Sequence, residues 1–121
     1  MAVNIVDNTN FGPSISTNMG EVTVVLLHDF YGECGSAHQR ALATIESVAL
    51  YYEQYTLPSV QFFRGNKTDI TMVQTDIKYV QCTPSYYFYV GDGSGGYDEY
   101  YRHNGPMNAE QIKYYIEQQR G

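Results

Sequence analysis

An apolar run at residues 22–30 constrains the fold of this chain more than any other feature of the sequence. Six of its nine residues are apolar, several of them consecutive and β-branched: Val22, Val24, Val25, Leu26, Leu27 and Phe30. A strand with one face in water alternates apolar and polar residues, whereas a continuous run is typical of a strand buried on both faces. The run therefore predicts a central strand of a sheet with helices on both sides.

The segments around this run alternate between strand and helix patterns and end in a hairpin. Strands are predicted at 3–6, 60–64, 85–90 and 97–103, with a glycine-rich hairpin loop at 91–96 and a turn at 65–66. Helices are predicted at about 38–55, after Asn108 and, from weaker patterns, at 11–19 and 68–79. The apolar stripe of the helix at 38–55 consists of Ala41, Ile45, Val48, Ala49 and Tyr52. The final helix carries Ile112, Tyr115 and Ile116 on one face. Residues 1–121 are thus expected to form one α/β domain, a mixed sheet of about five strands flanked by about four helices.

Charge and hydropathy exclude several classes of partner. The net charge is −6 at pH 7, and the seven basic residues are scattered along the chain. Nucleic acids and anionic membrane surfaces are bound by clustered basic residues, so neither is expected as a partner. No apolar run approaches the roughly 20 residues that span a bilayer, so membrane insertion is not expected. No motif indicates a cofactor, because the glycines at 91–96 lack the lysine and following helix of a phosphate-binding loop.

The order of elements and three stretches of sequence resemble the thioredoxin family over essentially the whole chain. Residues 3–11 resemble the family's first strand and the turn that follows it. The end of the family's central strand is similar to His28-Asp29-Phe30-Tyr31, and its proline loop is similar to Val80-Gln81-Cys82-Thr83-Pro84-Ser85. The resemblance implies a thioredoxin-like fold and a cis peptide bond between Thr83 and Pro84.

The family's Trp-Cys-Gly-Pro-Cys motif is replaced here by Glu33-Cys34-Gly35-Ser36-Ala37-His38. With one residue deleted, Cys34 takes the place of the nucleophilic cysteine and Ala37 that of the resolving cysteine. Without a gap, Gly35 and His38 take those two places, and the following helix aligns better with the family's buried positions. Both alignments stay open, and both lack the second cysteine.

The missing cysteine leaves two functional hypotheses. A dithiol reductase forms a mixed disulfide with one thiol and resolves it with the second. A loop with one cysteine depends on an outside thiol for that second step. The first hypothesis is therefore a non-catalytic protein-binding or structural subunit. The second is a monothiol oxidoreductase in which Cys34 is the nucleophile, its thiolate stabilised by the start of the helix.

The remaining candidate residues are interpreted more conservatively. His38 follows Cys34 by four positions and could activate its thiol, although a histidine in a first helical turn is more often solvated. Cys34 and Cys82 lie 48 positions apart, which is no disulfide framework, and free thiols favour a reducing intracellular compartment. The spacing of these three residues does not support a metal site. Asp29 matches the family's buried carboxylate, and without a resolving cysteine it is expected to be an inherited buried polar group.

The proline loop is the candidate binding surface. The resemblance implies that a cis Pro84 presents the backbone of Thr83 as an edge for an extended peptide. The side chains expected around this edge are Tyr31, Cys34 and Cys82. We therefore expect an unidentified protein partner that contacts Tyr31 and Thr83.

Overall fold

The apolar run at 22–28 forms the middle strand of a five-stranded sheet in the computed structural model of the chain. The structure describes residues 3–5, 15–28, 38–55, 59–66 and 84–120. The elements are β1 (Val3–Ile5), β2 (Val22–His28), α1 (His38–Tyr52), β3 (Val60–Asn66), β4 (Ser85–Gly91), β5 (Tyr97–Asn104) and α2 (Ala109–Gln119).

The sheet has the strand order β1-β3-β2-β4-β5. β3 pairs in parallel with both β1 and β2, whereas β4 pairs antiparallel with both β2 and β5. The sheet is therefore mixed, and the prediction of a central strand is confirmed for Val22–His28. Asp29 and Phe30, the last two residues of the predicted strand, lie outside the described residues.

Both faces of the central strands are buried, as the continuous apolar run predicts. One face, here called the helical face, packs against α1 and α2, and the other is called the opposite face. The strand residues buried on the helical face are Val22, Val24, Leu26, Phe62, Tyr86 and Phe88. Those buried on the opposite face are Val25, Leu27, Phe63, Tyr87 and Tyr89, joined by Ile15. The alternation within β2 and β4 follows from the period of two in a strand.

The helix patterns are confirmed for the two helices that the structure describes. All five residues of the predicted α1 stripe are buried, as are Ile112 and Ile116 of α2. Asn108 forms a capping box with Gln111, since the side chain of each accepts a hydrogen bond from the backbone amide of the other. Neither described helix is long and apolar enough to cross a membrane.

The predicted end of α1 and the predicted turn at 65–66 are wrong. α1 ends at Tyr52 instead of residue 55, because hydrogen bonds from Glu53 to Leu50 and from Tyr55 to Tyr52 form tight turns in its place. The turn predicted at 65–66 is strand, because parallel pairing continues from Gly65 to Leu27 and through the next residue. The described residues hold two helices where about four were expected, and the helix predicted at 68–79 lies outside them.

The helix predicted at 11–19 is also wrong over its described part, residues 15–19. This segment and the two residues after it are held by hydrogen bonds to the β4–β5 hairpin and do not form a helix. The Gly93 amide donates to the Thr17 carbonyl at 2.9 Å, and the Gly91 amide donates to the Glu21 carbonyl at 3.1 Å. Gly91 is required for this approach, since a Cβ atom there would overlap the backbone of Asn18.

Two buried tyrosines on the helical face differ in how their hydroxyls are satisfied. Tyr52 of α1 donates a hydrogen bond of 2.7 Å to the Glu117 carboxylate of α2, which ties the two helices together. Tyr86 of β4 is fully buried, and its hydroxyl has no hydrogen-bond partner among the described residues. Burial raises the pKa of Tyr86 to about 12, so this hydroxyl is neutral at physiological pH.

We predict opposite effects of removing these two hydroxyls. Tyr86→Phe deletes a buried group without a described partner and should leave stability unchanged or raise it by up to about 1 kcal/mol. Tyr52→Phe removes a hydrogen bond to a carboxylate and should lower the free energy of unfolding by about 1–2 kcal/mol. Urea unfolding of both variants measures the difference. A larger loss in Tyr86→Phe than in Tyr52→Phe would contradict this account.

Candidate functional site

The candidate site lies at one end of the strands, where β2, β3 and β5 end and β4 begins. β2 and β3 end together there, with His28 opposite Asn66. β4 begins at the same end, with Ser85 opposite both Leu27 of β2 and Asn104 of β5. Four strands therefore bring their terminal residues together beside Pro84.

Hydrogen bonds fix the start of β4 to the end of β5 in an arrangement here called the Pro84 corner: Pro84, Ser85, Asn104, Gly105 and Pro106. The Gly105 amide donates to the Pro84 carbonyl at 2.7 Å. The Ser85 hydroxyl donates to the Asn104 side-chain oxygen at 3.2 Å. Pro84 and Gly105 are buried, whereas Asn104 and Pro106 are exposed. The corner thus exposes the side chains of Asn104 and Pro106 on a backbone that these hydrogen bonds hold in place.

His103 holds the outer part of the corner in place. Its Nε2 atom lies 3.2 Å from the Pro106 carbonyl oxygen, and its Nδ1 atom lies 3.3 Å from the Tyr101 hydroxyl. A carbonyl only accepts, so Nε2 carries a hydrogen and donates to Pro106, while Nδ1 shares a hydrogen bond with the Tyr101 hydroxyl. The Tyr101 ring stacks on Tyr115 of α2 at 3.8 Å between centroids, which orients the hydroxyl.

The hydroxyl of Tyr101 is neutral at physiological pH. A hydrogen bond with Tyr115, together with burial, raises the pKa of Tyr101 to about 12. Both ring nitrogens of His103 are used in structural hydrogen bonds, which leaves this imidazole in a positioning role.

The described part of the site is suited to binding and carries no nucleophile–base pair. Its groups are backbone amides and carbonyls, one serine, one asparagine and a histidine whose ring nitrogens are both engaged. Within the described residues, no three His, Cys, Asp or Glu side chains come together in a way that could hold a metal ion. The arrangement can position an extended segment through hydrogen bonds at a fixed edge.

Of the residues predicted from the sequence, the structure describes Pro84 and places it, buried, at the centre of the corner. His38 is the first residue of α1, and its side chain is outside the description. The other predicted site residues also lie outside the described residues: Asp29, Tyr31, Cys34, Cys82 and Thr83. The activation of Cys34 by His38, the burial of Asp29 and the cis bond before Pro84 stay predictions.

The sequence analysis missed three residues that form or hold the Pro84 corner, namely His103 and Asn104 of β5 and Gly105 after it. A signal was present, because counting outward along both strands from the loop at 91–96 brings the end of β5 opposite the start of β4. The count is displaced by one residue at an irregularity in the register between Phe88 and Tyr89. The sequence pattern does not show this bulge. Counting from the loop therefore predicts the region of β5 that faces the start of β4, but not the exact residue pairs.

Comparisons with known proteins identify the fold. No protein-family model and no curated protein matches the chain. Among solved structures, 155 chains match. A chloroplastic thioredoxin z matches with a TM-score of 0.72 and 15% identity, covering 98% of this chain and 94% of that one. The thioredoxin Mala s 13 of Malassezia sympodialis matches with a TM-score of 0.68 and 11% identity, covering 98% and 91%. The thioredoxin-like fold predicted from the sequence is therefore confirmed.

We predict that Gly105→Ala destabilises the Pro84 corner. Gly105 has a φ of 108°, in a region that alanine adopts only with strain, and its amide binds Pro84. The substitution should lower the free energy of unfolding by about 1–3 kcal/mol in urea. Gly95→Ala is the matched control, since Gly95 has a φ of 92° in an exposed loop with open space around its Cβ position. If both variants lost the same free energy of unfolding, the loss would come from the positive φ alone, and the contacts of the corner would add nothing to it.

Proposed function

We propose that this chain is a redox-degenerate thioredoxin-like protein that binds a protein partner at the Pro84 corner and is no dithiol reductase. The observation that carries the proposal is the intact corner, with its 2.7 Å bond from Gly105 to Pro84, in a chain whose helix-start loop has a single cysteine. A binding surface that consists of backbone does not depend on paired thiols.

The corner supports recognition of an extended segment. Thr83 directly precedes Pro84, whose carbonyl accepts a hydrogen bond from Gly105, and the following residue, Ser85, pairs with both β2 and β5. Proline has no amide hydrogen and cannot donate to a sheet. The proposal is that the backbone of Thr83 pairs with a partner, whose main chain supplies affinity while nearby side chains supply selectivity.

The side chains proposed for selectivity are Tyr31, Cys34 and Cys82, together with the exposed Asn104 and Pro106 of the corner. Tyrosine buries a large ring with few rotatable bonds, which suits the core of an interface. Target recognition has a parallel among the structural neighbours, because chloroplastic thioredoxin z is described as defining a type-specific target recognition. Asp29 is proposed to remain as a buried polar group beneath this surface.

A monothiol activity of Cys34 is the second candidate function. Cys34 lies four positions before the start of α1, a helix of 15 residues. The unpaired amides of a helix start favour a thiolate, which lowers the pKa of a cysteine held close to them. Cys34 would then form a mixed disulfide with a small thiol or a protein, and an external thiol would resolve it.

We predict no catalysis of insulin reduction by dithiothreitol beyond the uncatalysed rate, because dithiol turnover requires a resolving thiol beside the nucleophile. Alkylation of Cys34 as a function of pH, in a Cys82→Ser background, distinguishes the two candidates. A thiol that titrates near the ordinary value of about 8.5 favours binding, and one depressed by two units or more favours the monothiol reading.

Variants with a restored cysteine pair serve as positive controls for the insulin reduction assay. Ala37→Cys creates the family's spacing from Cys34 if the gapped alignment is right. Gly35→Cys combined with His38→Cys creates it if the ungapped alignment is right. The proposal would be contradicted if the natural chain catalysed insulin reduction and its Cys34→Ser variant kept that activity.

We predict that a photocrosslinking residue at position 31 captures the natural partner, because Tyr31 is proposed to line the binding surface. The same residue at Tyr114 is the control, since Tyr114 is exposed on α2. Crosslinks to the partner in an extract of the source cells should form at position 31 and not at position 114. Capture at position 114 alone would show that α2 and not the Pro84 corner is the binding surface.

A further inference from the structure

β5 is an edge strand of the sheet, and no strand covers its outer side in the described part of the chain. Its side chains are half-buried or exposed along the whole strand. An edge strand presents a row of backbone donors and acceptors that another strand can pair with. The question is therefore which strand its side chains would accept.

A bulge changes which face each residue of β5 occupies. Tyr101 lies opposite Phe88 on the helical face, and Tyr100 also contacts the Phe88 ring, so two consecutive tyrosines share that face. Glu99 and Arg102 lie opposite Tyr89 and Tyr87, which belong to the opposite face. Without the bulge, residues three apart in a strand would be on different faces.

This arrangement makes β5 complementary to itself. When two copies of β5 run antiparallel about a two-fold axis between Tyr100 and Tyr101, Glu99 of each copy lies opposite Arg102 of the other. Asp98 lies opposite His103, and no like charges oppose each other. We infer that β5 is a docking edge for a second copy of this chain, which joins the two sheets in a symmetric dimer.

The faces of the strand select this register. A two-fold axis perpendicular to the sheet brings each face next to the same face of the partner, so opposing residues must share a face. Glu99 and Arg102 meet this condition, as do Tyr100 and Tyr101. A shift by one position would place Glu99 opposite Tyr101 or His103, which lie on the helical face. The bulge thus permits the one central register in which charges and faces both match.

The charged pair is already oriented for this contact. Within one chain, Arg102 forms a two-pronged ion pair with Glu99, with distances of 3.0 and 3.1 Å, while its guanidinium group lies 5.0 Å from the centre of the Tyr87 ring. A guanidinium group has five N–H donors and can serve a second carboxylate. In the dimer, two glutamates and two arginines would alternate around the axis, which offsets part of the repulsion between chains of charge −6.

Two single variants and their mixture test this contact. Glu99→Arg places two arginines opposite each other in a homodimer, and Arg102→Glu places two glutamates opposite each other. Each variant alone should associate at least about tenfold more weakly than the natural chain. A 1:1 mixture restores both cross-strand pairs and should regain association to within about threefold of the natural chain. The ion pair within each chain stays broken in the mixture, so the recovery reports only contact between chains.

Sedimentation equilibrium over a range of concentrations measures these effects. The natural chain should shift from 13.8 kDa towards twice that mass as concentration rises. Glu110→Arg makes the same charge change on an exposed position of α2 and should associate like the natural chain. Protection of β5 amides from hydrogen exchange should rise with concentration in the natural chain, a readout that needs no variant.

Several results would overturn the inference. They are a natural chain that stays monomeric at every concentration, a mixture that stays as weak as its components, or β5 amides whose exchange does not depend on concentration. The substituted residues, Glu99 and Arg102, lie outside the Pro84 corner, so the association measurements leave the corner unchanged. The dimer can therefore fail while the proposed binding function stands, and the reverse also holds.

Discussion

The structure depends on burying both faces of the β2–β4 pair. Every residue from Val22 to Leu27 and from Ser85 to Tyr89 is buried, so neither strand has a face that can tolerate water. Only two of these residues, Thr23 and Ser85, carry small polar side chains, and both are hydrogen-bonded, to Gln61 and Asn104. The sequence of these two strands therefore requires that other parts of the chain cover both faces of the sheet.

This requirement explains why the irregular segment at 15–21 is held so closely. Ile15 fills the opposite face, and the Ser16 amide donates to the Gln61 side chain at 3.1 Å, the same oxygen that accepts from Thr23. The segment then passes against Gly91 and the hairpin. Its conformation is decided by contacts with strands that lie 40 or more positions away in the chain, at Gln61 and Gly91. Local helical preference is overridden by these tertiary contacts.

Features that repeat within one element could be predicted, and features that depend on distant neighbours could not. The run at 22–28 and the α1 stripe from Ala41 to Tyr52 follow from a fixed period, and the structure confirms both. Gly65 resembles a turn in sequence but continues a strand, because a parallel neighbour supplies hydrogen bonds that the pattern does not show. At the candidate site, Pro84 was predicted, whereas His103 and Gly105 were missed because a one-residue bulge in β5 sets their register with β4.

The packing of the described residues does not depend on cysteines. The contacts that hold the described residues together are apolar layers, tyrosine rings and backbone hydrogen bonds, and none of them requires a thiol. These contacts therefore do not depend on whether a pair of cysteines precedes α1. The Pro84 corner is held by the sheet. Its hydrogen bonds come from Asn104 at the end of β5 and from Gly105 in the turn after it. The binding proposed for the Pro84 corner is therefore independent of dithiol chemistry, because the corner and the cysteine involve different parts of the chain.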